Sequence, residues 1–208
     1  QGGEKHQPAI LSRNREASDA LQRRKSLDIN HPRAAHFVIC LLSFSLITIS
    51  RIVMVPLFAI AGESLVPHSK FHAERDMHVQ RFAGQLWKAI YHATVTFAPL
   101  WFLRNELWWP PGLGDARHLF VDYPFTPPVP MLREYYMFQL GYYLHALFIT
   151  RLQRGRPNYV SMTIHHMATI ALVSCSFFVQ NNLRLGTLVF WVHDVCDVPV
   201  CLTRLAVD

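Results

Sequence analysis

Two stretches of the sequence put ionisable side chains among apolar neighbours. In IHHMATIALVSCSFF, His165 and His166 stand side by side; WVHDVCDVPVCLTRL carries His193, Asp194 and Asp197. An imidazole, whose ordinary pKa is about 6.5, serves at neutral pH as a nucleophile or as a general base. A carboxylate that accepts the proton of one ring nitrogen fixes the tautomer and leaves the other nitrogen's lone pair facing a substrate. Asp194 and Asp197 are three residues apart and share a helical face, which Arg204 continues seven residues further on. The same residue types also bind metals, so a ligand set of His165, His166 and Asp194 stays open on spacing alone. A di-iron arrangement is disfavoured, because Met162 and Thr163 stand where a third histidine would be needed.

Such groups need elements to hold them, and composition says which kind. Of 208 residues, 51% are hydrophobic, 12% aromatic and 16% charged, and the apolar residues come in long blocks. That excludes a disordered chain. Despite a net charge of +6, it also excludes a water-soluble nucleic-acid binder, so no nucleic-acid partner is expected. Cys40, Cys175, Cys196 and Cys201 lie inside apolar blocks without paired metal-type spacing and read as buried thiols. Apolar runs at 37–61, 87–103, 135–150, 159–179 and 185–207 predict five spanning helices, since about 20 residues cross a hydrocarbon core. Arg51 inside the first run must face protein, water or a headgroup, because a central arginine costs about 2.5–3.5 kcal/mol on insertion scales.

The expected architecture is an all-α, polytopic membrane protein with a polar tail over 1–36 and a first transmembrane helix over 37–61. Residues 62–86 read as a short polar loop. Residues 104–131 hold Trp108, Trp109, Pro110, Pro111, Pro124, Pro127, Pro128 and Pro130, too many prolines for regular helix, and read as a Trp-anchored interfacial loop. The connection bearing Arg151, Arg154 and Arg156 has three cations and no acid, which places it in the cytoplasm and the tail across the membrane. Gln1 and Asp208, the latter directly after an apolar block, read as the ends of a fragment.

Taken together, HHMATIALVSCSFFVQNNLRLGTLVFWVHDVCD closely resembles the Lag1 motif of ceramide synthases: HHxxTxxLxxxSY, then NxxRxG, LV and HDxxD. The matching residues are His165, His166, Thr169, Leu172, Ser176, Asn181, Arg184, Gly186, Leu188, Val189, His193, Asp194 and Asp197. Upstream, KFHAE at 70–74, WKAIY at 87–91, YPF at 123–125 and the pair Tyr135–Tyr136 are similar to the same family, so the likeness spans roughly 70–204. Three departures stand out: one extra residue between Ser176 and Asn181, Phe177 in place of the motif's tyrosine, and Pro199 with Cys201 and Arg204 after HDxxD.

The resemblance implies a TLC-type helical barrel over 62–208, incomplete at the C-terminus, in the endoplasmic reticulum membrane. It implies N-acylation of a sphingoid base with acyl-CoA as co-substrate, with no bound cofactor and no metal. On that implication His165, His166, Asp194 and Asp197 are catalytic: one histidine, taken as His165, attacks the thioester or deprotonates the amine, and the aspartates orient it and receive the amine. His193, Asn181, Arg184, Arg151, Arg154 and Arg156 are the candidates for substrate binding, the arginine loop by attracting the CoA phosphates. Plainer readings exist for several of these. The loop arginines are equally a topology signal, Asn181, Arg184 and Gly186 suit an ordinary interhelical turn, and Tyr135, Gln139 and Tyr142 on one helical face suit packing. The expected partners are sphingoid base, acyl-CoA and membrane lipid, with a homodimer or heterodimer left open. Two other functions compete: a non-catalytic TLC-type protein that binds or senses lipid, and a metal-dependent lipid hydroxylase.

Overall fold

The computed structural model describes residue 18 and residues 34–66, 72–109, 114–123, 126–155, 158–178 and 182–207. The tail expected over 1–36 lies outside them up to residue 33 except for residue 18, as do Arg156, Asn181, Lys70, Pro124 and Phe125. Five long helices follow in order: α1 Ala34–Leu65, α2 His72–Phe102, α3 Leu132–Leu152, α4 Tyr159–Phe178 and α5 Leu183–Val207. A 3-10 turn at Ala116–Leu119 sits between α2 and α3. The described residues contain no strand.

The apolar run at 37–61 becomes a helix of 32 residues that continues through Pro56. Its outward face is a row of exposed apolar residues, among them Leu41, Leu42, Leu46, Ile49, Ile52, Val53, Leu57 and Ile60. A water-soluble bundle hides such side chains and exposes polar ones; here the polar Gln139, His145, Thr187 and Asp194 are almost wholly buried, beside Tyr136, Leu103 and Met137. α1, α4 and α5 are long and apolar enough to cross a membrane by length and composition.

Around the bundle the helices pack in the order α4, α3, α1, α2, α5, while α4 and α5 touch each other sparsely. Consecutive in sequence, the two helices with the ionisable pairs therefore stand at the two ends of an arc. Gly141 allows α3 to lie against α1: a Cβ there would come 2.7 Å from the Ser43 Cβ and 2.9 Å from the Cys40 carbonyl.

Three expectations need correction. The stretch 62–86 is not a short loop, because α1 runs to Leu65 and α2 starts at His72. Its charged residues are good helix formers, and Arg75 donates to the Glu63 carbonyl, which ties the start of α2 to the end of α1. Trp108 and Trp109 are not exposed anchors on a loop but buried in the main core. Trp108 donates to Glu106 at 3.0 Å, and Trp109 meets Trp191 edge to face. Of the cysteines only Cys40 and Cys201 are buried; Cys175 and Cys196 are exposed. On α4 the buried residues are Thr163, His166, Val173 and Phe177, and Cys175, two positions from each of the last two, points away from that stripe.

Candidate functional site

A cavity of about 1140 Å³ lies inside the arc. α4 brings His165 and His166 to it, α5 brings His193, Asp197 and Arg204, α2 brings Lys88 and His92, and α3 brings Tyr142 and His145. Arg51 of α1 also faces it, its guanidinium 5.5 Å above the Trp87 ring, which answers the demand the sequence made of that arginine. The rings of His165 and His166 are 5.5 Å apart, and those of His165 and His193 are 5.7 Å apart. His166 is buried, and its Nδ1 has no hydrogen-bond partner among the described residues. His193 Nε2 stands 3.6 Å from the Asp197 carboxylate.

Asp194 behaves differently from Asp197. It is wholly buried and does not line the cavity. Its Oδ1 is 3.0 Å from Nδ1 of His92, and its Oδ2 accepts from the Gln139 amide. The expected pairing of Asp194 with the His165–His166 pair is therefore not formed; the histidine it holds is His92, on α2.

The direction of every bond around Asp194 can be deduced. Tyr135 donates its hydroxyl to the Val95 carbonyl and so accepts from the Gln139 NH₂ at 3.0 Å. Tyr91 donates to Gln139 Oε1 at 2.8 Å. The amide is thus fixed with its nitrogen toward Asp194. Asp194 accepts from Gln139 on one oxygen and from His92 Nδ1–H on the other, which in the neutral imidazole leaves the lone pair on Nε2. The Tyr142 hydroxyl, 3.1 Å from Nε2, donates to it, and the Asp197 carboxylate lies 3.7 Å from the same nitrogen. His92 gives little sign of itself in the sequence: it is a lone histidine in the apolar half of α2, and its partner is 102 residues away.

Among the described residues, His92, Asp194 and Asp197 form a group whose ligand atoms lie within 4.8 Å of one another, close enough to hold a metal ion. That group contains His92 in place of His165 and His166, the histidines of the ligand set left open by spacing. Both oxygens of Asp194 already accept hydrogen bonds, so the geometry is equally complete without a cation.

Other motif residues hold the frame. Arg184 is buried and donates to the His118 carbonyl at 2.8 Å, tying α5 to the α2–α3 connection away from the cavity. Ser176 is 2.9 Å from the Tyr136 hydroxyl and also donates to the Asn182 carbonyl across the α4–α5 turn. A Cβ on Gly186 would fall 1.5 Å from the Tyr136 hydroxyl, so this position must be glycine for α5 to pass α3. Phe177 is buried edge-on to His36, with the Arg133 guanidinium 5.5 Å from its ring centroid. The helix α4 stays regular to Phe178 and α5 starts at Leu183; the rest of the stretch in which the extra residue is expected, 179–181, lies outside the described residues. Arg151 and Arg154 are exposed, and Arg151 donates to Tyr159, a cavity-lining residue, at 3.0 Å.

The TLC domain family model, common to TRAM, LAG1 and CLN8 proteins, matches residues 81–207. Human ceramide synthase 3 is 32% identical over 130 residues, which is 62% of this chain and 33% of that protein. Human ceramide synthase 5 is 30% identical over 61% of this chain and 31% of its own length. The sphingosine N-acyltransferase lag1 of Schizosaccharomyces pombe is 30% identical over 56% of the chain and 29% of its own length. The chain thus spans about a third of the length of the curated relatives it matches. Long apolar helices, an outward apolar face, an inward polar one and a domain match over most of α2 to α5 agree with one another: this is a membrane protein, and the chain belongs to the TLC domain family.

Proposed function

We propose that this chain is part of the catalytic domain of a sphingosine N-acyltransferase, which joins a sphingoid base to the acyl group of acyl-CoA in the endoplasmic reticulum membrane. The observation that carries the reading is the cavity wall where His165, His166, His193 and Asp197 meet from two helices. Its volume of about 1140 Å³ is at or above the usual size of small-molecule pockets, about 300–1,000 Å³, and suits an acyl chain. Relatives named ceramide synthase and sphingosine N-acyltransferase support the same activity.

In this reading His165 is the nucleophile toward the thioester and His166 its neighbouring base. Asp197 receives the substrate ammonium, with His193 beside it. Gln153, Gly155 and Asn158 line the cavity next to the arginine loop, which sets Arg151 and Arg154 near the point where the CoA phosphates would arrive. All five long helices cross the membrane.

The test is transfer of labelled acyl groups from acyl-CoA to a sphingoid base by the full-length protein, in membranes lacking endogenous activity. Product that disappears in the His165→Ala and His166→Ala variants supports the reading. Lipid binding without product would make the protein a lipid-binding member of its family, and activity that follows bound metal would make it a hydroxylase.

A further inference from the structure

The proposed acyl transfer needs a destination for the proton that the attacking amine must lose. The bonds around Asp194 provide one. We propose that Tyr142, His92 and Asp194 form a proton relay that serves the amine, separate from the His165–His166 pair that receives the acyl group. The inference rests on the acyltransferase reading and adds three roles to it.

Tyr142 is the member on the cavity wall, and His92 also borders the cavity, while Asp194 lies wholly behind them. The Tyr142 ring is stacked on Tyr91 at 3.8 Å between centroids, so its hydroxyl is held in one place. The hydroxyl donates to His92 Nε2 at 3.1 Å, and its oxygen keeps a lone pair for a further donor. Asp194 then has one function that needs no access to substrate: it holds the Nδ1–H tautomer and stabilises the imidazolium when Nε2 gains a proton. Asp197, at 3.7 Å from Nε2, adds a second negative charge on the other side of that ring.

In the step itself the ammonium held at Asp197 first gives one proton to solvent in the cavity, and the lone pair of the resulting neutral amine forms the new bond to the acyl carbon. The bond from that carbon to its leaving atom, the CoA sulfur or the nitrogen of an acylated histidine, breaks and takes its electron pair. One amine N–H proton passes to the Tyr142 oxygen while the Tyr142 proton passes to His92 Nε2. The same path run backwards returns the proton to the leaving group as a thiol or a neutral imidazole, so the relay ends unchanged. Tyr142 is the catalytic residue, touching substrate; His92 and Asp194 act through it.

Tyr142→Phe is the cleanest probe, because it deletes one oxygen and leaves the stacked ring in place. In the full-length enzyme it is expected to lower kcat about 100-fold, within the range for loss of a positioned acid–base group, with KM for both substrates within twofold. His92→Gln is expected to do the same. The double variant should be no slower than about threefold below either single one, since both remove the same path. A merely structural pair would lower the amount of folded protein or raise KM instead. Wild-type activity with a Tyr142→Phe or His92→Gln enzyme near the wild-type rate would overturn the relay and leave the acyltransferase reading standing. So would losses that multiply in the double variant. A wild-type protein with no acyl transfer would overturn the reading itself, and the relay with it.

Discussion

Asp194 and Asp197 are of the same type and three residues apart, yet their surroundings assign them different tasks. Asp194 is held by two donors in a wholly buried position, and Asp197 is partly open to the cavity. Asn at position 194 can accept from His92 but must turn its own NH₂ toward the Gln139 NH₂, which leaves two buried donors facing each other. Asp194→Asn is therefore expected to lose about 1–3 kcal/mol of stability, the range for an unmet buried polar group, as well as turnover. Asp197→Asn should lose turnover alone. Thermal melting of both variants in detergent, beside an acylation assay, checks the contrast; equal melting temperatures would mean that Asp194 is not held as described. The sequence made the HH and HDxxD residues legible because five ionisable groups in apolar surroundings need a reason. It could not show which carboxylate faces which histidine, because helical periodicity fixes a face and not the neighbour across it. His92 was missed for that cause: its partners come from α5 and α3, and no local spacing announces them.

At the level of the helices, the same motif also builds the frame. Ser176, Arg184 and Gly186 hold α4, α5 and the α2–α3 connection together, and Gly186 does so by having no side chain. Gly186→Ala would drive a methyl into the Tyr136 hydroxyl, and overpacking of this kind costs about 1–3 kcal/mol. A fall in melting temperature is expected, partly recovered when Tyr136→Phe removes the nearest atom. Partial recovery is the limit, because Tyr136 Cζ would remain 2.8 Å from the added carbon and the bond to Ser176 would be lost. Apolar runs located four of the helices in sequence to within a few residues, since burial in lipid or protein favours the same side chains. α2 was half visible because its first turns, from His72 to Arg81, carry charges that read as loop, although their propensity favours helix. Trp108 and Trp109 misled for the opposite reason: tryptophan suits an interface and a core equally well, and only Trp191 across the fold decides.

For the whole molecule, the five crossings proposed above can be argued helix by helix. α1, α4 and α5 have the apolarity for it. α2 and α3 are more polar on average, but α3 turns Arg133, Gln139 and His145 inward and α2 does the same with His92 and Thr96. An average over such a helix understates how apolar its outer face is. Length is sufficient: at 1.5 Å per residue, the 31 residues of α2 extend about 46 Å and the 21 of α3 about 31 Å, against a hydrocarbon core of about 30 Å. If all five cross, the α2–α3 connection and the Arg151–Arg154 loop lie on opposite sides of the membrane, with the arginines in the cytoplasm. If only three cross, both lie on the same side. A glycosylation acceptor placed near Val121 should therefore be glycosylated in the full-length protein, and one placed near Arg154 should not. Equal modification of the two, or of neither, would reduce α2 and α3 to helices that do not span. The five-span outcome also sets the arginine loop and the cavity lining beside it on the cytoplasmic side, where the proposed acyl-CoA is dissolved, while the apolar outer faces meet the bilayer that would hold the proposed sphingoid base.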